Sequence, residues 1–194
     1  MKIETENLSN GDLILFHSRG FQPMSWAIRT LTHSYWNHAS LYIGNGFIIE
    51  ARKTVEKNSI DNYLNDKFDL GIFRIKKESY LTGLEYKNGL QSATTYAEAR
   101  VGSNYDKRAI VWLGIKYLSV GFLRKLIPQR YNPFQKREQF FCSELVCECY
   151  YKTSSIVKNL FAGLKYLLAT CGTCTPKDIG KSIHSKWVMG TNKI

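Results

Sequence analysis

The chain has 194 residues, 44% hydrophobic and 22% charged, enough for one domain with its own core and too apolar for a disordered segment. Its net charge of +11 is uneven, with eight Lys or Arg and no Asp or Glu between residues 107 and 137; such a stretch suits an acidic partner, nucleic acid or anionic lipid, or is a solvated basic face. No apolar run reaches the roughly 20 residues of a membrane span, the opening MKIETENLSNGD lacks an apolar h-region, and five cysteines without secretory spacing fit reduced thiols, so a cytoplasmic location is expected.

In chain order, GDLILFH (11–17) reads as a buried strand. PMSWAIRTLTH (23–33) places Met24, Ile28 and Leu31 at helical spacing, with Pro23 as the first helical residue. HASLYIGNGFIIEAR (38–52) reads as two strands around Gly-Asn-Gly, and LGIFRIK (70–76) as another strand. Leu90, Ala93, Ala97 and Val101 share one helical face in 84–101, and 109–127 reads as a helix, or two with a break near Gly121. QFFCSELVCECYY (139–151) repeats Cys142, Leu145, Val146 and Cys149 at i, i+3, i+4 and i+7, another helix, and 154–171 reads as a further one. The order predicts one α+β domain over 1–194, with a basic helical elaboration around 107–138.

Cys142 stands where its helix begins. There the helix dipole and free backbone N–H groups lower a thiol pKa, and a nearby histidine can serve as base. His38 is the best of the four histidines: it shares one face of its strand with Ser40 and Tyr42, while Ala39, Leu41 and Ile43 take the other. Glu50 lies on the returning strand. A three-residue Gly44-Asn45-Gly46 loop would pair Ser40 with Glu50 and set Glu50 diagonally beside His38. A two-residue Asn45-Gly46 turn, which Asn-Gly favours, would put Glu50 on the wrong face. Taken alone, each residue has an ordinary reading: a core thiol, a hydrogen-bonded strand-end histidine, a surface carboxylate.

Read together, GDLILF (11–16), WNHASLYIGNG (36–46), IIEA (48–51), VGSNYD (101–106) and FFCSELV (140–146) resemble the permuted papain-like amidases of the YiiX/YaeF type, in the NlpC-like cysteine hydrolase superfamily. The resemblance spans about residues 10–150 and again TPKDI (175–179). In that family circular permutation puts the histidine before the cysteine, as His38 precedes Cys142 here. It implies Cys142 as nucleophile, His38 as base, Glu50 as the orienting group, and a small antiparallel sheet packed against the cysteine's helix. Tyr105 and Asp106 match the family's Tyr-Asp pair; alternatively Asp106 simply caps a helix. Tyr105, Trp36, Tyr42 and Ser143 are expected to line the substrate cleft.

Cys147 and Cys149 would face opposite ways on a helix, which argues against a shared metal. Cys171 and Cys174 have metal-like or redox-like spacing without a supporting βαβ context. No metal and no cofactor are expected. The activity expected is cleavage of an amide bond in a peptide or peptidoglycan-type fragment. The alternative is acyl transfer or thioester hydrolysis on a lipid, since lecithin:retinol acyltransferase-type members of the superfamily work on lipids and the basic segment suits an anionic membrane surface. Without a nucleic-acid-binding motif, no nucleic-acid partner is expected.

Overall fold

Residues 13–16 are apolar without alternation, the pattern of a strand covered on both faces. The computed structural model describes residues 3–20, 22–77, 81–118, 139–153, 171–182 and 185–191. In it β1 (Leu13–Ser18) lies inside a six-stranded antiparallel sheet. After β1 come α1 (Pro23–Thr32), β2 (His38–Gly44), β3 (Phe47–Ala51), β4 (Val55–Ser59) and β5 (Phe68–Ile75). Then follow α2 (Gly83–Glu98), β6 (Asn104–Tyr105), α3 (Lys107–Leu118), β7 (Gln139–Phe140), α4 (Cys142–Tyr151), α5 (Pro176–Gly180) and β8 (Ser185–Gly190). The sheet order is β4-β3-β2-β1-β5-β8, and β6 and β7 form a separate parallel pair. This is the α+β fold expected.

The two faces of the sheet build two cores. Leu13, Leu15, Ala39, Leu41 and Ile49 pack against Leu145, Val146, Cys149 and Tyr150 of α4. Ile14, Phe16, Tyr42, Ile48, Leu70 and Ile72 pack on the other side with Ile60 and Tyr63 of a short 3-10 turn. The TPKDI segment forms α5, capped by Thr175, whose hydroxyl accepts from the Asp178 N–H.

The β2–β3 hairpin reconciles two expectations that exclude each other in the sequence. Asn45 and Gly46 have φ of 52° and 77°, and Gly44 pairs with Phe47 across them, so the tight two-residue turn forms. A bulge between Tyr42 and Gly44 then leaves Ile43 unpaired and restores Ser40 opposite Glu50. Glu50 therefore falls on the His38 face despite the short turn.

Four strands escaped the sequence reading: the two-residue β6 and β7, and two strands of the large sheet. β4 and β8 are the edges of the sheet, and β4 buries only Val55, so neither has the apolar run of a central strand. The first strand starts two residues later than expected, because Gly11 (φ 84°) and Asp12 still belong to a turn. The helix expected over 154–171 lies outside the described residues except for Cys171, which begins a 3-10 turn, and the helical stretch expected beyond 118 lies outside them as well. The reduced-thiol expectation is corrected for two cysteines: Cys147 and Cys171 form a disulfide that ties α4 to a 3-10 turn at Cys171–Thr173. Disulfides persist in oxidising surroundings, so the thiols no longer argue for the cytosol. Among the described residues no helix is long and apolar enough to cross a membrane.

Gly44 has φ 95°, and a Cβ there would lie 2.4 Å from Asn10 Oδ1; at Gly46 (φ 77°) it would meet open space. Gly46→Ala should cost about 1–2 kcal/mol for the left-handed backbone alone, and Gly44→Ala more. Urea unfolding should show both as lower midpoints at unchanged slope, in that order.

Candidate active site

β3 delivers the Glu50 side chain into the second core, where it is fully buried. A carboxylate removed from water needs donors on every lone pair, and four groups supply them. His38 Nε2 lies 2.5 Å from Oε2, and Arg52 Nε is 3.3 Å from the same oxygen. Asn58 Nδ2 donates to Oε1 at 2.8 Å, and the Tyr63 hydroxyl donates to Oε1 as well. Burial alone would raise the Glu50 pKa; the hydrogen bond and charge of His38, then Tyr63 and Arg52, outweigh it and hold it at about 2.

His38 begins β2 and is buried, its ring 5.4 Å from that of Phe16. With Nε2 turned to Glu50, Nδ1 is left for the thiol of Cys142, to which His38 is hydrogen-bonded. Burial would lower its pKa; the Cys142 thiolate first, and Glu50 after it, raise it to about 9.

Cys142 is the first residue of α4, preceded by the N-cap Phe141. Phe141 has no side-chain acceptor, so the first-turn N–H groups are not taken up by a cap. Burial would raise the thiol pKa. The charge and hydrogen bond of His38, then the N–H groups of Ala39 and Ser143 on the sulfur, bring it below its ordinary value. The three groups thus form a chain, Cys142 to His38 to Glu50, in which a thiolate and an imidazolium stabilise each other.

Tyr105 is brought to the same place by the short β6–β7 pair, which sets Tyr105 opposite Phe140, and the Asp106 N–H donates to the Phe140 carbonyl at 3.1 Å. Burial, then the nearby Cys142 and Asp106 charges, push the Tyr105 phenol up, so it stays protonated. Asp106 caps α3, its Oδ1 accepting from the Ala109 N–H at 2.8 Å.

The side chains of three residues expected along the cleft make internal contacts. Trp36 is buried among Tyr35, Phe73 and Trp187 and lies over Gly71, where a Cβ would meet its ring at 2.6 Å. The Tyr42 hydroxyl accepts from the Gly46 N–H at 3.0 Å and braces the hairpin. Ser143 is fully buried and its hydroxyl donates to the Cys174 carbonyl at 2.8 Å, holding that segment against the first turn of α4. Conversely, Arg52, Asn58 and Tyr63 are site residues the sequence reading missed. Arg52 was within reach, two positions beyond Glu50 on the same face. Asn58 needed β4, whose register sets it opposite Ile48, diagonal to Glu50.

Residues 7–110 match the family described as permuted papain-like amidase enzyme, YaeF/YiiX, C92 family. A search of curated proteins returns no match. The matched segment holds His38, Glu50 and Tyr105. Cys142 lies beyond it and reaches them through the packing of α4 on the sheet.

The His38–Glu50 pair makes stability depend on pH. His38 titrates above its ordinary 6.5, so its contribution is complete below 6.5 and lost as pH rises through about 9. Glu50 titrates below its ordinary 4.5, so its contribution is present above 4.5 and lost as pH falls towards about 2. The stability lost in Glu50→Gln, followed by urea unfolding, should be largest between these limits and shrink outside them. Iodoacetamide near neutral pH should label Cys142 ahead of Cys149 and Cys174, whose thiols burial pushes up, and His38→Ala should slow that labelling. Equal rates by mass spectrometry, or indifference to His38→Ala, would make Cys142 an ordinary core thiol.

Proposed function

The chain belongs to the permuted papain-like amidase family, and from that premise we propose that it is a cysteine hydrolase cleaving an amide bond in a peptide or peptidoglycan-type fragment. The observation that carries this reading is the Cys142–His38–Glu50 chain, with its cysteine at the start of a helix. The thiolate of Cys142 adds to the amide carbonyl, and the electron pair moves onto oxygen. The Cys142 backbone N–H, in the first helical turn, is the donor for that oxyanion. Collapse of the tetrahedral adduct breaks the C–N bond while the His38 imidazolium gives its proton to the departing amine. The thioester that remains is attacked by water, His38 taking the water's proton, and release of the carboxylic acid restores the thiolate. Glu50 does not exchange protons: held ionised at about 2, it keeps His38 oriented and favours the imidazolium. Tyr105, protonated throughout, walls the site beside the sulfur.

The proton donor is the imidazolium, so kcat/KM should fall as pH rises through about 9, while the thiolate persists above that point. A panel of peptides, muropeptides and acyl lipids tests the substrate class. Wild type should release an amine from at least one amide substrate, and Cys142→Ala should not. His38→Ala should lose about 10²–10⁴-fold, the usual contribution of a positioned acid–base. Glu50→Gln should lose less and move the alkaline limb to lower pH. Turnover confined to acyl esters or thioesters of lipids would replace the amidase reading by the lipid one, and turnover that survives Cys142→Ala would remove both.

A further inference from the structure

The apolar side chains of an ordinary surface helix turn inward; those of α3 do not all follow that rule. Val111 and Ile115, one turn apart, are 62% and 45% exposed, and Lys107 and Arg108 are exposed in the turn before them. Ala109, on another face, is buried against Phe141 and Tyr105. α1 packs on α3 and exposes Trp26 to 54%. Neither helix contains an Asp or Glu, and the chain continues past α3 with Lys or Arg at 124, 125, 130, 136 and 137 and no acid before 138. Asp106, the nearest carboxylate in sequence, is fully buried and caps α3. Isolated exposed apolar residues are commonplace on soluble proteins. Here they follow a pair of exposed cations on one helix and share a carboxylate-free pair of helices.

We propose that the outward face of α1 and α3 docks the protein on an anionic lipid surface. Cations together with tryptophan and aliphatic side chains are the composition of an interfacial surface: the charges meet headgroup phosphates and the apolar groups enter the acyl boundary. A nucleic acid would use the cations alone, since Val111 and Ile115 gain nothing against a phosphodiester backbone. The surface adjoins the candidate site, because α3 starts directly after Tyr105 and Asp106. Docking would therefore draw amide or acyl groups at a membrane surface towards Cys142, although it does not depend on which bond is cleaved.

The test is flotation of the Cys142→Ala chain with vesicles of equal parts phosphatidylcholine and phosphatidylglycerol, against phosphatidylcholine alone, at low and physiological salt. The inactive chain separates docking from catalysis. Association is expected with the anionic vesicles only, weaker at the higher salt, where charges are screened within about 8 Å. Lys107→Gln and Arg108→Gln should each weaken it roughly fivefold, the equivalent of about 1 kcal/mol per cation near an anionic surface. Val111→Ser combined with Ile115→Ser should weaken it too; both positions are exposed, so circular dichroism should show an unchanged fold. No association at low salt, equal association with phosphatidylcholine alone, or indifference to the serine pair would overturn the proposal. So would tighter binding to a duplex oligonucleotide than to the anionic vesicles.

Discussion

Everything at the site depends on one register. His38 and Glu50 can meet only if β3 returns with Glu50 on the same face as Ser40, and a strand slipped by one residue turns every side chain over. The tight Asn45-Gly46 turn taken by itself imposes the wrong register. The unpaired Ile43 corrects it. A bulge costs ladder hydrogen bonds and bends the strand, yet here it converts a favourable turn into a favourable pairing. Beside it, Gly44 has a φ of 95°, which disfavours any other residue, and a Cβ there would have to displace the Asn10 side chain.

The register matters because Glu50 is fully buried. A lone carboxylate there would protonate. Instead it takes His38, Asn58, Tyr63 and Arg52 as donors or charge partners, remains ionised, and favours the His38 imidazolium, whose positive charge lowers the Cys142 thiol pKa. The cysteine comes from another layer. α4 packs on the opposite core of the sheet from Glu50, and its N-terminus meets the start of β2, where the Ala39 N–H reaches the sulfur. The Cys147–Cys171 disulfide and the Ser143–Cys174 hydrogen bond fasten the turn at 171–174 to the first two turns of the same helix. The helix that presents the thiol is thus held from both sides.

How much of this was legible in the sequence follows from which residues carry their own signal. The central strands were legible because β1 and β5 carry apolar runs and β2 and β3 flank a Gly-Asn-Gly turn signal; the edge strands β4 and β8 were not, because an edge needs few apolar contacts. Cys142, His38 and Glu50 stood out by helix position, strand face and motif. Their meeting did not, since the hairpin left two registers open and a bulge is a tertiary choice with no local spelling. The packing of Trp36 in the aromatic core and of Tyr42 in the hairpin was not legible either, because motif membership does not say what a side chain touches. The disulfide was hidden for a similar reason: Cys147 and Cys171 are brought together by the packing of α4, not by sequence spacing.

The central claim is that Cys142 is a thiolate sustained by His38 and, through it, by Glu50. Thiolate absorbance in the ultraviolet, titrated as the difference between wild type and Cys142→Ser, measures it directly and needs no substrate. The thiolate should already be present below the ordinary thiol value of 9.0, and His38→Gln should return its appearance to or above that value. A Cys142 signal that rises only at 9.0 or higher in the wild type, or one that His38→Gln leaves in place, would contradict the account.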